Sequence, residues 1–136
     1  MRVLLFYAAE FWFKTHAKVL VEVDDDFREG RVVDAVVAFV HAAPRDATDL
    51  DGVRTKLVKN IKWLAGKFGA RAAALHYFAH LDAEAAAPQI ARAIIDGAQA
   101  RLAAVGFAVE VTPFGHFCEW RLSVAGDSLA KVWKEF

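Results

Sequence analysis

The residues best placed to do chemistry lie in residues 75–88, LHYFAHLDAEAAAP. The run reads as the end of a buried strand (residues 72–78), a handover through Ala79, His80 and Leu81, and a helix started by Pro88. A strand end that empties into a helix amino end gathers free backbone N–H groups and partial positive charge, which suits a carbonyl or anionic ligand. His80 sits in that handover. It is either an active-site group or a structural imidazole bonded to backbone, and its position alone does not choose.

A second segment, TPFGHF at residues 112–117, has the aromatic walls and the close backbone approach that a shared concave surface needs. Cys118 follows it, either a nucleophile with His80 or His116 as its base or an inert half-buried thiol. The five histidines (16, 41, 76, 80 and 116) form no i, i+4 helical pair, so no metal site is expected. There is no phosphate-binding glycine loop, no HExxH and no GxSxG. No cofactor is expected. What the two segments offer is position and backbone hydrogen bonding, enough to stabilise an oxyanion without a titrating side chain.

The elements that must hold these segments follow from periodicity. Residues 2–7 (RVLLFY) and 17–23 (AKVLVEV) read as strands, with residues 8–16 ambiguous between them. Asp24, Asp25 and Asp26 form an acidic turn, without the spacing of a calcium loop. Residues 32–40 read as a long buried strand. Thr48 or Asp49 caps a helix carrying Val53, Leu57, Ile61, Leu64 and Phe68 on one stripe, and Gly69 ends it. A strand over residues 70–78 leads into the handover. A second helix runs from Pro88 to about Val105, stopped by Gly106. Residues 107–112 and 117–124 are strands joined by the Pro113-Phe114-Gly115 turn. Residues 128–136 read as a short amphipathic helix. This β-β-β-α-β-α-β-β-α order predicts an α/β domain with a mixed sheet and its helices on one face.

Composition bounds the rest. The chain has 136 residues, 57% of them hydrophobic, which predicts one domain with a full core. Lys plus Arg and Asp plus Glu balance at 17 each, so a nucleic-acid partner requires a local basic patch. The densest basic run is Arg54, Lys56, Lys59, Lys62, Lys67 and Arg71, read as a solvated helix face or as contacts to RNA phosphates. No membrane span or signal peptide is evident, and one cysteine fits a reducing, cytoplasmic setting. The abrupt aromatic end reads as a domain cut from, or appended to, something longer.

FAHL followed by small residues and proline, PFGxF near the far end, and NIKWLAGKFGA before the central strand together carry a resemblance. The chain resembles the amino-terminal editing domain of archaeal-type threonyl-tRNA synthetases, which shares its fold with the D-aminoacyl-tRNA deacylases. The likeness spans residues 1–136, as a single domain of a longer synthetase. It implies hydrolysis of L-serine wrongly attached to threonine tRNA, in a homodimer, with the terminal adenosine 2′-hydroxyl helping to activate water. Carried over by position, it places His80 and the Ala79 backbone at the reacting end. Phe114 and Phe117 lie against substrate and adenosine, Cys118 lines the site, and Phe39 and Ala42 face the amino-acid pocket. Lys56, Lys59 and Lys62 would meet tRNA.

Three departures bear on activity. A family lysine is replaced by Cys118, and Gly-His-Pro before the last helix by Gly126-Asp127-Ser128. A glutamate of that helix falls at Lys131. The first strand also ends Tyr7-Ala8-Ala9 in place of a polar trio. If backbone and RNA carry the chemistry, the domain is active. D-aminoacyl-tRNA deacylation and an inactive tRNA-docking module are the alternatives.

Overall fold

The apolar run that opens the chain continues well past Tyr7. The structure, a computed structural model, describes residues 1–136. Strand β1 spans Arg2–Lys18 without a break. The separate strand expected over residues 17–23 is not formed: Ala17 and Lys18 end β1, and residues 19–28 have no strand. The ambiguous stretch alternates after all, with Phe11 and Phe13 buried between Trp12 and Lys14. What obscures it is a change of face. β1 pairs antiparallel with β2, Glu29–His41, from Arg2↔His41 to Lys14↔Glu29, but the Ala9–Asp34 position is unpaired. Asp34 has a φ of +48°, a left-handed conformation tolerated by few residues with a side chain. Beyond it Val32, not Val33, shares a face with Val37.

Two parallel steps follow. β3, Ala72–Tyr77, runs parallel to β2, and β4, Ala108–Val111, parallel to β3. Helix α1, Leu50–Phe68, bridges the first step and α2, Pro88–Ala104, the second. Crossovers of one hand taken in one direction put both helices on the same face. The Asp49 carboxylate accepts the Gly52 N–H at 2.9 Å to cap α1, and Gly69 closes it at φ +66°. Pro88 opens α2 in its first turn, where a missing N–H costs nothing.

β5, His116–Val124, pairs with the later part of β1. The terminal helix expected at residues 128–136 is instead a 3₁₀ turn, Ser128–Ala130, and a strand, β6, Lys131–Glu135. A nine-residue amphipathic stretch fits either form. The open edge of β1 from Arg2 to Phe6 decides it, because β6 satisfies those backbone groups. The sheet order is β4-β3-β2-β1-β5, with β6 also on β1.

The two faces of this sheet differ. On one, Val3, Leu5, Val36, Ala38, Val40, Ala73 and Leu75 meet the helix stripes through Leu57, Ile61, Leu64, Ile94, Ile95 and Leu102. Each large side chain sealed there contributes about 1.5–3 kcal/mol. The other face carries a smaller, aromatic cluster of Ala8, Phe11, Phe13, Val37, Phe39 and Ala74, with no helix over it. The candidate site opens beside that cluster.

Candidate active site

β3 ends at Tyr77, and the backbone then turns through residues 78–87 before α2 begins. Four hydrogen bonds pin this loop to the end of β2. Phe78 N–H donates to Val40 O and Ala86 N–H to Ala42 O, each at 2.8 Å. Leu81 N–H donates to His41 Nδ1 at 3.2 Å. Because Nδ1 accepts, the ring proton of His41 sits on Nε2, which donates to Glu84 O at 2.8 Å. Arg2 adds a bond to Leu81 O at 2.8 Å. The N–H groups of Ala79 and His80 have no protein acceptor, so they remain free at the loop's tip.

A cavity of about 460 Å³ opens against this tip, a size suited to a small ligand. Ala79, His80, Pro88, Thr112, Pro113, Phe117, Cys118 and Trp120 wall it, with His76 among the lining residues. Its lining contains no Asp, Glu, Lys or Arg. Gly115, at φ +76°, lets the β4–β5 turn close on the wall: a Cβ there would meet Val23 at 2.7 Å. Its carbonyl accepts from Val19 N–H at 2.8 Å and Leu20 N–H at 3.0 Å. A second depression, about 510 Å³, is lined by Glu22, Asp24, Asp25, Asp26 and Asp96 with Arg28 and Arg92. The acidic turn is tied to basic neighbours there, Asp25 to Lys18 at 2.9 Å and Asp26 to Arg28 at 3.0 Å. Its carboxylates outnumber its basic groups, so it disfavours an anionic ligand.

The structure brings some of the expected residues together and separates others. His80, Ala79, Phe117 and Cys118 all line the cavity. His80 is exposed, packed edge-on against Phe78 at 5.0 Å, and no side chain orients it. Phe39 lies behind the wall, 4.9 Å from His76 and 5.2 Å from Trp120. Ala42 does not line the cavity: its methyl is buried in the helix-side core, and its carbonyl anchors the loop. Phe114 also packs on that side, against Tyr77 at 5.1 Å, and lines the acidic depression in place of the cavity. Lys56, Lys59 and Lys62 are exposed on α1, which covers the sheet face away from the aromatic cluster. They form no ion pair, whereas Arg54 and Arg71 are spent on Ala93 O and Val105 O. Lys131 caps the β5–β6 connection through Ala125 O at 2.8 Å.

Burial pushes the Cys118 thiol up, away from the thiolate form. His116 uses both ring nitrogens, on Phe114 O at 2.9 Å and on Asp26 N–H at 3.1 Å. Burial lowers His76 to about 4, so the imidazole is neutral at physiological pH. Its Nδ1 lies 2.8 Å from the Thr112 hydroxyl. His76 and His41 are the residues that sequence reasoning passed over. The alternation Ala74, His76, Phe78 along β3 and one residue past its end already put His76 on the aromatic face, whereas nothing local marks His41.

Residues 1–136 match the model of a family described as the archaea-specific editing domain of threonyl-tRNA synthetase. The chain belongs to that family. It is 30% identical over 135 residues to a threonine–tRNA ligase of Thermococcus onnurineus, covering 97% of this chain and 22% of the ligase. A threonine–tRNA ligase of Hyperthermus butylicus is 30% identical over 142 residues, with 100% of this chain and 23% of the ligase covered. The editing domain thus spans about a fifth of the length of the curated relatives it matches. A solved structure, c-Myc DNA Unwinding Element Binding Protein, superposes at a TM-score of 0.68, covering 100% of this chain and 99% of that one at 8% identity. At that identity the likeness speaks for the fold alone, which is α/β and D-aminoacyl-tRNA deacylase-like, as the sequence led us to expect.

Proposed function

We propose that this domain proofreads threonine tRNA by hydrolysing mischarged L-serine, as the editing unit of a longer synthetase. The observation that carries the reading is a ligand-sized cavity lined by Ala79 and His80, whose N–H groups have no protein acceptor, with no charged side chain in its wall. An aminoacyl ester is activated, so a positioned water and donors for the developing oxyanion suffice for hydrolysis. The 2′-hydroxyl of the terminal adenosine holds that water, and His80 positions the adenosine or the ester. The need is physical: a synthetic site built for threonine excludes serine, one methyl smaller, by only about 1–3 kcal/mol.

Lys56, Lys59 and Lys62 contact the tRNA backbone in this reading, and the domain acts in the cytoplasm as a homodimer. Exposed Phe117, Trp120 and Trp133 supply apolar surface for a second copy. The test is deacylation of tRNA charged separately with L-serine, L-threonine or a D-amino acid. Cleavage of the L-seryl ester alone supports editing. Cleavage confined to D-esters would favour D-aminoacyl-tRNA deacylation, and no cleavage a tRNA-docking module.

A further inference from the structure

His76 stands out among the cavity's imidazoles. His116 has both nitrogens occupied and His80 is exposed, but His76 is 92% buried with one nitrogen to spare. The spare nitrogen, Nε2, has no protein partner and is not sealed off, so it opens on the cavity that the residue lines. Its protonation follows from Thr112. That hydroxyl is buried, and Nδ1 of His76 is its only protein partner, so its proton points at Nδ1. The ring proton is then on Nε2. Phe39 and Phe78, at 4.9 and 6.1 Å, hold the ring's orientation.

We propose that His76 is a specificity residue whose Nε2–H donates a hydrogen bond to the side-chain hydroxyl oxygen of the esterified amino acid. The inference rests on the editing reading above and names the feature of the substrate that the cavity recognises. A neutral buried donor with no counter-charge beside it favours a neutral acceptor. It disfavours a charged side chain, and it turns the substrate's ammonium group elsewhere. An alanyl ester leaves the N–H unpaired inside an apolar wall, the arrangement that discriminates most strongly against a missing hydroxyl. Serine and threonine share that hydroxyl, so their separation falls to the walls around the extra methyl.

The experiment is single-turnover deacylation of tRNA charged with L-serine or L-alanine, by the unaltered protein and by His76→Phe, His76→Gln and Thr112→Val. The unaltered protein should favour the seryl ester at least tenfold. His76→Phe should bring the ratio to within about threefold, mainly by slowing the seryl ester. His76→Gln, which keeps an N–H, should retain most of the preference. Thr112→Val, which frees the tautomer, should fall between. A ratio unchanged in His76→Phe, or a parallel loss on both esters, overturns the assignment while leaving editing intact. If neither ester is cleaved by the unaltered protein, editing itself fails and the inference falls with it. Independently of turnover, the His76 ring ¹⁵N signals should show a protonated Nε2 near pH 7. They should shift with a non-hydrolysable 3′-seryl-amino adenosine but not with its alanyl counterpart. Signals indifferent to both ligands also overturn it.

Discussion

The imidazole of His41 and the backbone N–H of Leu81 are joined at 3.2 Å across 40 residues of sequence. The bond couples the end of β2 to the loop that presents Ala79 and His80. Removing the imidazole leaves the half-buried Leu81 N–H without its acceptor and Glu84 O without its donor, at about 1–3 kcal/mol. His41→Ala should therefore lower stability by that amount and slow deacylation at least tenfold. Amide exchange in residues 78–86 should quicken. A variant with unchanged exchange in that loop would show that the bond does not hold the site.

Replacing the terminal adenosine by its 2′-deoxy form should cost far more than any single side-chain truncation. His80→Ala should lower the rate moderately, because His80 has no group to orient it as a base. Single-turnover kinetics on L-seryl-tRNA measure both. Normal reaction of the deoxy substrate together with a dead His80→Ala protein would make His80 the general base.

Cys118 lines the cavity but is held in its thiol form and has no hydrogen bond to His80 or His116. Cys118→Ala should keep at least a tenth of the deacylation rate. A trapped acyl-enzyme, or a loss of several orders of magnitude, would establish it as a nucleophile.

Lys56, Lys59 and Lys62 point away from the cavity, so their effect should appear in binding and not in the chemical step. Replacing all three by Gln should weaken tRNA binding and flatten its dependence on salt. Equal affinity and slope would return them to an ordinary solvated helix face.

The buried His76 predicts how stability depends on pH. Its folded value of about 4 lies below the ordinary 6.5, so the unfolded chain takes up a proton first as pH falls. Stability from this group is complete above about 6.5 and is lost as pH drops towards 4, by at most about 3 kcal/mol. The groups facing it are Thr112, Phe11, Phe39 and Phe78, with no carboxylate among them. Denaturant titrations at pH 7 and pH 4.5 should show a smaller difference for His76→Phe than for the unaltered protein. An equal difference would place the acid sensitivity elsewhere.

Much of this was legible before any coordinates. The stripe from Val53 to Phe68, the Gly69 stop and Pro88 at the helix start are local signals with local causes, and they fixed both helices where they stand. The errors arose where distant partners decide. β1 needed β2 and β5 along its whole length to be seen as one strand, and β6 needed the open edge at Arg2 to Phe6. Ala42 illustrates the same limit. Three residues from Phe39, it falls on the opposite face of the sheet, and only the fold assigns it to the core.

Along β2, Val36, Ala38 and Val40 face the helices while Val37 and Phe39 face the aromatic side. Adjacent residues of one strand thus pack into two different layers. A smaller side chain at an even position opens a void in the helix-side core and lowers stability. Drift at Phe39 reshapes the backing of the cavity with little effect on the helix layer. Single substitutions at alternating positions within five consecutive residues can therefore act on the helix layer and on the cavity's backing separately.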